Sequence, residues 1–344
     1  MALCIKIKKK LGSFELNIDL ETNNRRIGIL GESGAGKSML LKCIAGIVTP
    51  DEGIISIDGR ILYSSHEHIN LKPQKRKAGY MFQNYALFPN MTVEENIAAV
   101  LKKSSRKKRV YELIEQFSLN GAEKKRPNEL SGGQQQRAAL ARLMASEPEI
   151  IMLDEAFSAL DAHLKERLQL NMLDFISSYG GIVIDVAHDR DEIYKIADYA
   201  AVIHNGKISS QRNAHELFEN PRTAAAARLT GCRNISPVRI IGKRRLYACD
   251  WGCELDTECD IPDNITAVGI RAHDIYEGCG ENSLALEGFS VLEEPFEVTY
   301  ILRPSRGKGE IWWKIPRSSR DGLFNNGFPK TVVLPKEKLL LLCE

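Results

Sequence analysis

The apolar residues of this chain follow two different periods over roughly its first two thirds. Residues 4–20 alternate between apolar and polar side chains, a period of two that predicts a β-hairpin. The apolar face of its second half consists of Phe14, Leu16, Ile18 and Leu20. Continuous apolar runs follow at 27–30, 150–153 and 182–184. Short uninterrupted runs of this kind are typical of strands buried on both faces of a parallel sheet.

Helical spacing appears between these strands. Residues 39–44 predict one helix, and Thr92-Val93-Glu94-Glu95 has the spacing of a capping box that begins another. Apolar side chains at the helical period predict a third helix, and they are Val110, Leu113, Ile114 and Phe117. Strands alternating with helices predict an α/β domain, with a helical subdomain at about residues 86–140.

The pattern changes near residue 230, where short strands separated by turn sequences begin. Asp250-Trp251-Gly252 and Pro262-Asp263-Asn264 are two such turns. This spacing is typical of a small all-β barrel or sandwich. A chain of 344 residues has room for two domains, and we predict one at 1–230 and a β-rich one at 231–344.

Composition restricts the partners and the compartment. The 47 Lys and Arg residues nearly balance the 45 Asp and Glu residues, so no nucleic-acid partner is expected. No apolar run is long enough to span a bilayer, and the first ten residues lack the pattern of a signal peptide. The eight cysteines are scattered and should be reduced in the cytosol. We therefore expect a cytoplasmic protein that reaches a membrane only through a partner.

The clearest motif is Gly31-Glu32-Ser33-Gly34-Ala35-Gly36-Lys37-Ser38. It fits G-x-x-x-x-G-K-[ST] and lies between a predicted strand and a predicted helix, the context of a phosphate-binding loop. Glycines let successive N–H groups point at one anion, and the helix N-terminus adds its positive end. Lys37 should reach the β- and γ-phosphates of a nucleotide, and the Ser38 hydroxyl should bind Mg²⁺.

Further polar residues come at or directly after the ends of predicted strands. They are Lys37, Gln83, Asp154, Glu155 and His188. Ligands of open α/β sheets bind outside the carboxyl ends of the strands, so these side chains should converge. A lone histidine is most often structural, and we interpret His204 and His273 in that way.

Taken in order, the motifs resemble the ATP-binding subunit of ABC transporters. The resemblance covers residues 1–228 and rests on the phosphate loop, Gln83, Leu130–Gln134, the strand ending at Asp154-Glu155, Ser158–Asp161 and His188. It implies the ABC-type P-loop ATPase fold, with ATP and Mg²⁺ as cofactors. It also implies a homodimer that closes around two ATP molecules and moves two integral-membrane permease subunits. An external substrate-binding protein would supply the transported solute.

The resemblance implies roles for individual residues. Glu155 would be the general base for the attacking water, and His188 would contact the γ-phosphate. Asp154 would hold Mg²⁺ together with Ser38, and Gln83 would sense both that ion and the permease. The signature residues would contact ATP bound by the other subunit, and they are Ser131, Gly132, Gly133 and Gln134, while Asp161 closes the motif after the catalytic strand.

One position departs from the family pattern, and at another the sequence leaves two roles open. Ala156 stands where a proline usually follows the catalytic glutamate, which changes local stiffness rather than chemistry. An aromatic residue near the N-terminus usually stacks on adenine. Phe14 is the candidate here, but it fits equally well as a core residue of its strand.

The C-terminal region resembles the regulatory domain of oxyanion and sugar importers, of the OB-like type found in molybdate importers. The resemblance rests on 246–252 and 268–275, and on Glu294–Phe296 followed by 298–304. It implies molybdate as the transported ion, with tungstate and sulfate close. Sugars, polyamines and ferric ion stay open as solutes, and a soluble ABC ATPase without a transport role stays open as a different class.

Four cysteines lie in this region, and they are Cys249, Cys253, Cys259 and Cys279. Only Cys249 and Cys253 have the close spacing of a zinc-binding pair, and structural zinc sites use two such pairs. A metal site and a set of reduced thiols are both compatible with this spacing, and reduced thiols are the simpler interpretation.

Overall fold

The computed structural model describes residues 2–82, 84–101, 106–156, 162–319 and 329–344. Its packing divides the chain into two compact units, Met1–His215 and Glu216–Glu344. The domain boundary near residue 230 stays a prediction. Gln83 and Asp161 lie outside the described residues, as does most of the segment that follows Ala156.

Eleven strands of the first unit form one sheet within the described residues. In chain order these are β1 Leu3–Leu11, β2 Phe14–Thr22, β3 Arg26–Gly31, β4 Glu52–Ile57, β5 Arg60–Ser64, β6 Ile69–Asn70, β7 Ala78–Met81, β8 Ile150–Asp154, β9 Ile182–Val186, β10 Tyr199–His204 and β11 Lys207–Asn213. Their order across the sheet is β6-β5-β4-β1-β2-β11-β10-β3-β9-β8-β7.

The sheet has a parallel half and an antiparallel half. Strands β10, β3, β9, β8 and β7 are parallel neighbours, and every residue of β9 is buried. The predicted hairpin is confirmed as β1 and β2, which β4 extends in antiparallel register. Strand β11 joins the halves by pairing with β10 on one side and β2 on the other. The carboxyl ends of five parallel strands therefore meet along one edge.

The helices of the first unit are α1 Lys37–Ala45, α2 Val93–Ala98, α3 Arg106–Gln116, α4 Gly132–Ala145, α5 Ala162–Ser178 and α6 Arg190–Ile196. As the capping-box spacing predicts, Thr92 caps α2, and its hydroxyl accepts from the Glu95 N–H at 3.3 Å. Helices α2, α3 and α4 pack on one another and bury the helical-period residues Val110, Leu113, Ile114 and Phe117.

One buried arginine fixes the end of α1. Arg76 has no exposed surface, and its Nη1 donates to the carbonyls of Cys43 and Ile44, each at 2.8 Å. Its Nε donates to Leu71 O and its Nη2 to Asn70 Oδ1, also at 2.8 Å. The last carbonyls of a helix lack helical partners and carry its negative end. Arg76 therefore ties the helix that follows the phosphate loop to the β6–β7 connection.

The second unit contains most of α7 Ala214–Glu219, and α8 Ala224–Leu229. Its strands are β12 Asn234–Gly242, β13 Arg245–Ala248, β14 Cys253–Asp256, β15 Ala267–Ile270, β16 Tyr276–Glu277, β17 Ser283–Glu293, β18 Glu297–Pro304, β19 Ile311–Pro316, β20 Thr331–Val333 and β21 Leu340–Leu342. Within the described residues they form two five-stranded sheets, β14-β13-β12-β15-β21 and β16-β20-β17-β18-β19. Trp251 and Trp313 are buried in their shared core, and the predicted small β domain is confirmed.

Candidate active site

The phosphate loop joins β3 to α1 with the backbone conformation its glycines predict. Gly34 and Gly36 have φ of 80° and 105°, in the left-handed region that favours glycine. A Cβ on Gly36 would also lie 2.7 Å from Leu16 Cδ1. Gly36 is the N-cap of α1, so the positive end of this helix lies at the loop. The loop thus lies at the positive terminus of α1, where the first N–H groups of a helix lack helical partners.

Lys37 is buried within this loop, with 5% of its surface exposed. Its Nζ donates to the carbonyls of Gly31 at 2.7 Å and Glu32 at 2.9 Å. Burial lowers the pKa of Lys37, and the nearby carboxylates of Glu155 and Asp154 act in the opposite direction. The backbone carbonyls of the loop therefore hold the ammonium in place, and the carboxylates of Glu155 and Asp154 lie nearby.

Asp154, at the end of β8, is held on both carboxylate oxygens. Ser38 Oγ donates to Oδ1 at 2.9 Å, and the Tyr80 hydroxyl donates to Oδ2 at 2.5 Å. Burial, together with this hydrogen bond to Asp154, raises the pKa of Tyr80. A serine hydroxyl beside a fixed carboxylate is an oxygen donor set of the kind that Mg²⁺ prefers. Ser38 and Asp154 would hold the ion, which would neutralise charge on the phosphates.

The sequence analysis does not predict a role for Tyr80, although its place in the sheet indicates one. It lies on β7 opposite Met152 of the parallel neighbour β8, two residues before Asp154. A side chain on that face of the adjacent strand can reach the carboxylate at the strand end. Recognising it requires knowing that β7 and β8 are neighbours, which is a long-range property of the sheet.

Glu155 and His188 meet directly. His188 Nε2 lies 2.5 Å from Glu155 Oε1, and Glu155 has φ of 52°, uncommon for a residue other than glycine. The Glu155 N–H donates to Val186 O at 2.9 Å, which holds this turn against the end of β9. The arrangement places a carboxylate and an imidazole together beyond two adjacent strands, as needed to orient a water molecule.

A cleft of about 290 Å³ runs along the loop and brings several predicted residues together. Phe14, Lys37, Ser38 and Glu155 all line it. Phe14 also packs against the core cluster of the sheet, so both interpretations of this residue describe part of its environment. Its stacking on adenine stays a prediction. Ala156, which follows Glu155 in the sequence, is buried, with 1% of its surface exposed.

The signature residues occupy a separate place, at the start of α4. Ser131 is the N-cap, and its hydroxyl accepts from the Gln134 N–H at 3.3 Å while Gln134 Oε1 accepts from the Ser131 N–H at 3.0 Å. Gly132 and Gly133 form the first turn of α4. In the described part of the chain, none of these four residues lines the cleft at the phosphate loop. Their contact with ATP in another subunit stays a prediction.

The cysteines of the second unit are free thiols. Burial raises the pKa of Cys253 to about 12, which disfavours the thiolate that metals bind. Across the ranges that the structure describes, no three His, Cys, Asp or Glu side chains are grouped so as to hold a metal ion. None of the helices in those ranges combines the length and apolar composition that crossing a bilayer requires.

Comparison with known proteins agrees with this site. Residues 15–158 match the family described as ABC transporter. A sulfate/thiosulfate import ATP-binding protein from Chromobacterium violaceum is 38% identical over 252 residues, which cover 72% of this chain and 67% of the relative. A probable protein of the same description from Chlorella vulgaris is 37% identical over 236 residues, covering 66% of this chain and 97% of the relative.

Solved structures show the same cassette. The ATP-binding cassette MJ0796, in a dimeric post-hydrolysis state bound to ADP and Pi, is 27% identical with a TM-score of 0.52. The match covers 62% of this chain and 99% of that one. With the phosphate loop, the Ser38–Asp154 pair and the Glu155–His188 pair in place, the chain therefore belongs to the ABC transporter family as an ATP-binding subunit, an ATPase whose cofactors are ATP and Mg²⁺.

Proposed function

We propose that this ATPase powers an importer for a tetrahedral oxyanion, with sulfate or thiosulfate as the first candidates and molybdate as the next. The observation that carries the proposal is the similarity to sulfate/thiosulfate import ATP-binding proteins. This similarity extends over 252 residues. The match to the ABC transporter family is shorter and covers residues 15–158. The relative from Brucella melitensis, 35% identical over 265 residues, has the same description.

Hydrolysis follows from the positions of the chain's own side chains. The loop N–H groups and Lys37 would bind the β- and γ-phosphates, which carry the charge that develops in phosphoryl transfer. Glu155 would accept a proton from the attacking water, and His188 would orient that water and contact the γ-phosphate. Asp154, positioned by Tyr80, and Ser38 would hold Mg²⁺, which would supply positive charge to offset that of the phosphates. Most of the catalytic effect would then be positioning and charge neutralisation.

The same proposal includes the assembly. Two copies would form a head-to-tail dimer in which Ser131–Gln134 and Asp161 of one subunit contact ATP bound by the other. The dimeric form of the MJ0796 cassette supports this arrangement. Two permease subunits would dock near Gln83 and hold the protein at the inner face of the membrane, and an extracytoplasmic binding protein would deliver the ion. No nucleic-acid partner is proposed.

Molybdate remains a candidate because of the C-terminal region. The segments that resemble the regulatory domain of molybdate importers fall on regular elements of the second unit. Residues 246–248 lie on β13, 268–270 on β15, and 298–304 on β18. Sulfate and molybdate share tetrahedral geometry and a double negative charge, so an uptake measurement is needed to distinguish them.

Uptake in cells tests the proposal. Labelled sulfate, thiosulfate and molybdate would be supplied to cells lacking the protein and to cells carrying the native chain, Glu155→Gln or the exposed control Glu115→Gln. We expect the native chain and the control to restore uptake of one of these ions and Glu155→Gln to restore none. Restoration of sulfate alone or molybdate alone names the ion. No effect on any oxyanion, with ATPase activity intact, would reject the proposal in favour of another solute or a non-transport role.

A further inference from the structure

The turn between β10 and β11 lies beside the phosphate loop. Ile203 of β10 pairs with Gly31, the last residue of β3, in parallel register. His204 is the next residue, so it extends from the carboxyl end of the strand adjacent to the one that feeds the loop. Ligands of such sheets bind beyond these ends. The position therefore favours a ligand contact over the purely structural role that the sequence suggests.

His204 lines a cleft of about 440 Å³, in the size range of about 300–1,000 Å³ that is typical of small-molecule sites. Asn205 and Lys207 line it from the same turn. Phe14, Ser33 and Gly34 line both this cleft and the cleft that contains Lys37 and Ser38. A ligand whose phosphates lie on the loop can thus continue across Phe14 toward His204.

The turn is held in place by the backbone of β2. Asn17 N–H donates to Gly206 O at 2.7 Å. Gly206 has φ of 75°, and a Cβ there would lie 2.0 Å from Glu15 O. The β10–β11 turn and the segment that carries Phe14 therefore form one packed wall rather than two independent loops. A fixed wall is what a positioned contact requires.

The chemistry of this wall suits a nucleoside. Phe14 offers an aromatic face for a base, and the His204 ring can donate from one nitrogen and accept at the other. Asn205 Nδ2 lies 3.2 Å from His204 Nε2, so the two side chains form a polar pair at the rim. The family resemblance implies that the adenine of ATP stacks beside Phe14, which lines this cleft. We propose that His204 forms a hydrogen bond with that nucleoside. This goes beyond the proposed importer function and does not depend on which ion is transported.

The experiment compares two ligands that differ by the nucleoside. Binding of Mg-ATP and of inorganic tripolyphosphate would be measured by calorimetry on the full chain and on His204→Ala. Loss of one hydrogen bond should weaken ATP binding about 2- to 12-fold, while tripolyphosphate binds as before. In steady-state hydrolysis, KM for ATP should rise by a similar factor with kcat unchanged, because the contact is remote from the γ-phosphate.

Two further variants make the result decisive. His204→Gln keeps a donor and an acceptor and should recover part of the affinity, whereas His66→Ala, at an exposed histidine in the β5–β6 connection, should change nothing. Equal weakening of ATP and tripolyphosphate would show that His204 supports the fold of the loop and would overturn the proposal. Unchanged ATP affinity in His204→Ala would overturn it as well.

Discussion

His188 Nε2 lies 2.5 Å from Glu155 Oε1, although the two residues are 33 positions apart in the sequence. The sheet produces this contact. Asp154 of β8 is in register with Val186 of β9, so Glu155 and His188 each follow the same edge of adjacent parallel strands. The hydrogen bond from Glu155 N–H to Val186 O fixes the turn that points the carboxylate at the imidazole. The pair is therefore set by strand register.

Removal of the Glu155 carboxylate should separate ATP binding from hydrolysis. In Glu155→Gln the amide keeps the shape of the side chain but cannot accept the proton of the attacking water. We expect turnover to fall roughly 10²-fold or more, with ATP binding retained and an ATP-bound dimer accumulating in size-exclusion chromatography. Glu115→Gln, on the exposed face of α3, is the matched control. Near-normal turnover in Glu155→Gln would exclude this residue as the base.

Lys37 predicts a pH dependence of ATP affinity. Burial lowers its pKa below the ordinary value, and only the charged ammonium attracts phosphate. ATP affinity should therefore decline as the pH rises through this lowered pKa, before exposed lysines lose their protons at about pH 10.4. Calorimetric Kd values between about pH 7 and 10 would check this. Lys37→Ala should bind weakly at every pH, and a decline of equal steepness in that variant would point to other groups.

The free energy of unfolding should change with pH in the direction opposite to ATP affinity. Because the unfolded chain binds the Lys37 proton more strongly than the folded chain does, the free energy of unfolding rises with pH between the lowered pKa and the ordinary one. In the absence of nucleotide, Lys37→Ala should lose this rise. Thermal unfolding of the two chains across the same pH range would measure it.

Tyr80→Phe should weaken the response to Mg²⁺. The change removes the hydroxyl that donates to Asp154 Oδ2 and leaves the ring in place. Groups that position a metal ligand typically contribute 10- to 100-fold in metal affinity or activity, so we expect ATPase activity to require about tenfold more Mg²⁺. Tyr63→Phe is the control, because that hydroxyl donates to Pro50 O, and its strand β5 is far from β8 in the order of strands across the sheet. Identical Mg²⁺ titrations for the two variants would contradict the role.

Ser131→Arg tests contact across the dimer. Ser131 is exposed at the start of α4 and lies outside the cleft of its own subunit, so a large side chain there should not obstruct ATP binding by the monomer. It should block dimer closure and abolish hydrolysis. A Kd for ATP close to that of the native chain, with turnover lost, is the expected result. If the isolated monomer fails to bind ATP, or if hydrolysis persists, the cross-subunit role is wrong.

Arg76→Met should destabilise the first unit. It removes four hydrogen bonds from a fully buried guanidinium and leaves the terminal carbonyls of α1 without these donors. A buried polar group without a partner costs about 1–3 kcal/mol, so a loss of roughly 3 kcal/mol in the free energy of unfolding is expected. Chemical denaturation would measure it, with exposed Lys75→Met as control. A loss no larger than that of the control would show that solvent replaces these bonds.

Sequence patterns predicted the parts of the fold that depend on local chemistry. The phosphate loop and the capped start of α2 each have the predicted form. Of the residues predicted to converge, Lys37, Asp154, Glu155 and His188 lie together at the site, and Gln83 lies outside the described residues. Motif and strand end lie within a few residues of each other in these cases, so a short stretch of sequence contains the whole signal.

The remaining features depend on which strands are neighbours. Residues 72–77 have the composition of a solvated basic loop, yet Arg76 lies in the core because the end of α1 lies next to it. Tyr80 and His204 gain their positions from β8 and β3, which are distant in sequence. Their partners are set by the order of strands across the sheet, and one sequence read in short windows does not contain that order.

The contact between Arg76 and Gly46 has an evolutionary consequence. Gly46 ends α1 with φ of 78°, and a Cβ there would lie 2.5 Å from Arg76 Nε. Any side chain at 46 would strike the guanidinium, while a smaller residue at 76 would leave both space and carbonyls in need of donors. A smaller residue at 76 would relieve the clash at 46 but neither the strain of a side chain at positive φ nor the loss of the guanidinium hydrogen bonds, so we expect descendants of this sequence to retain both residues.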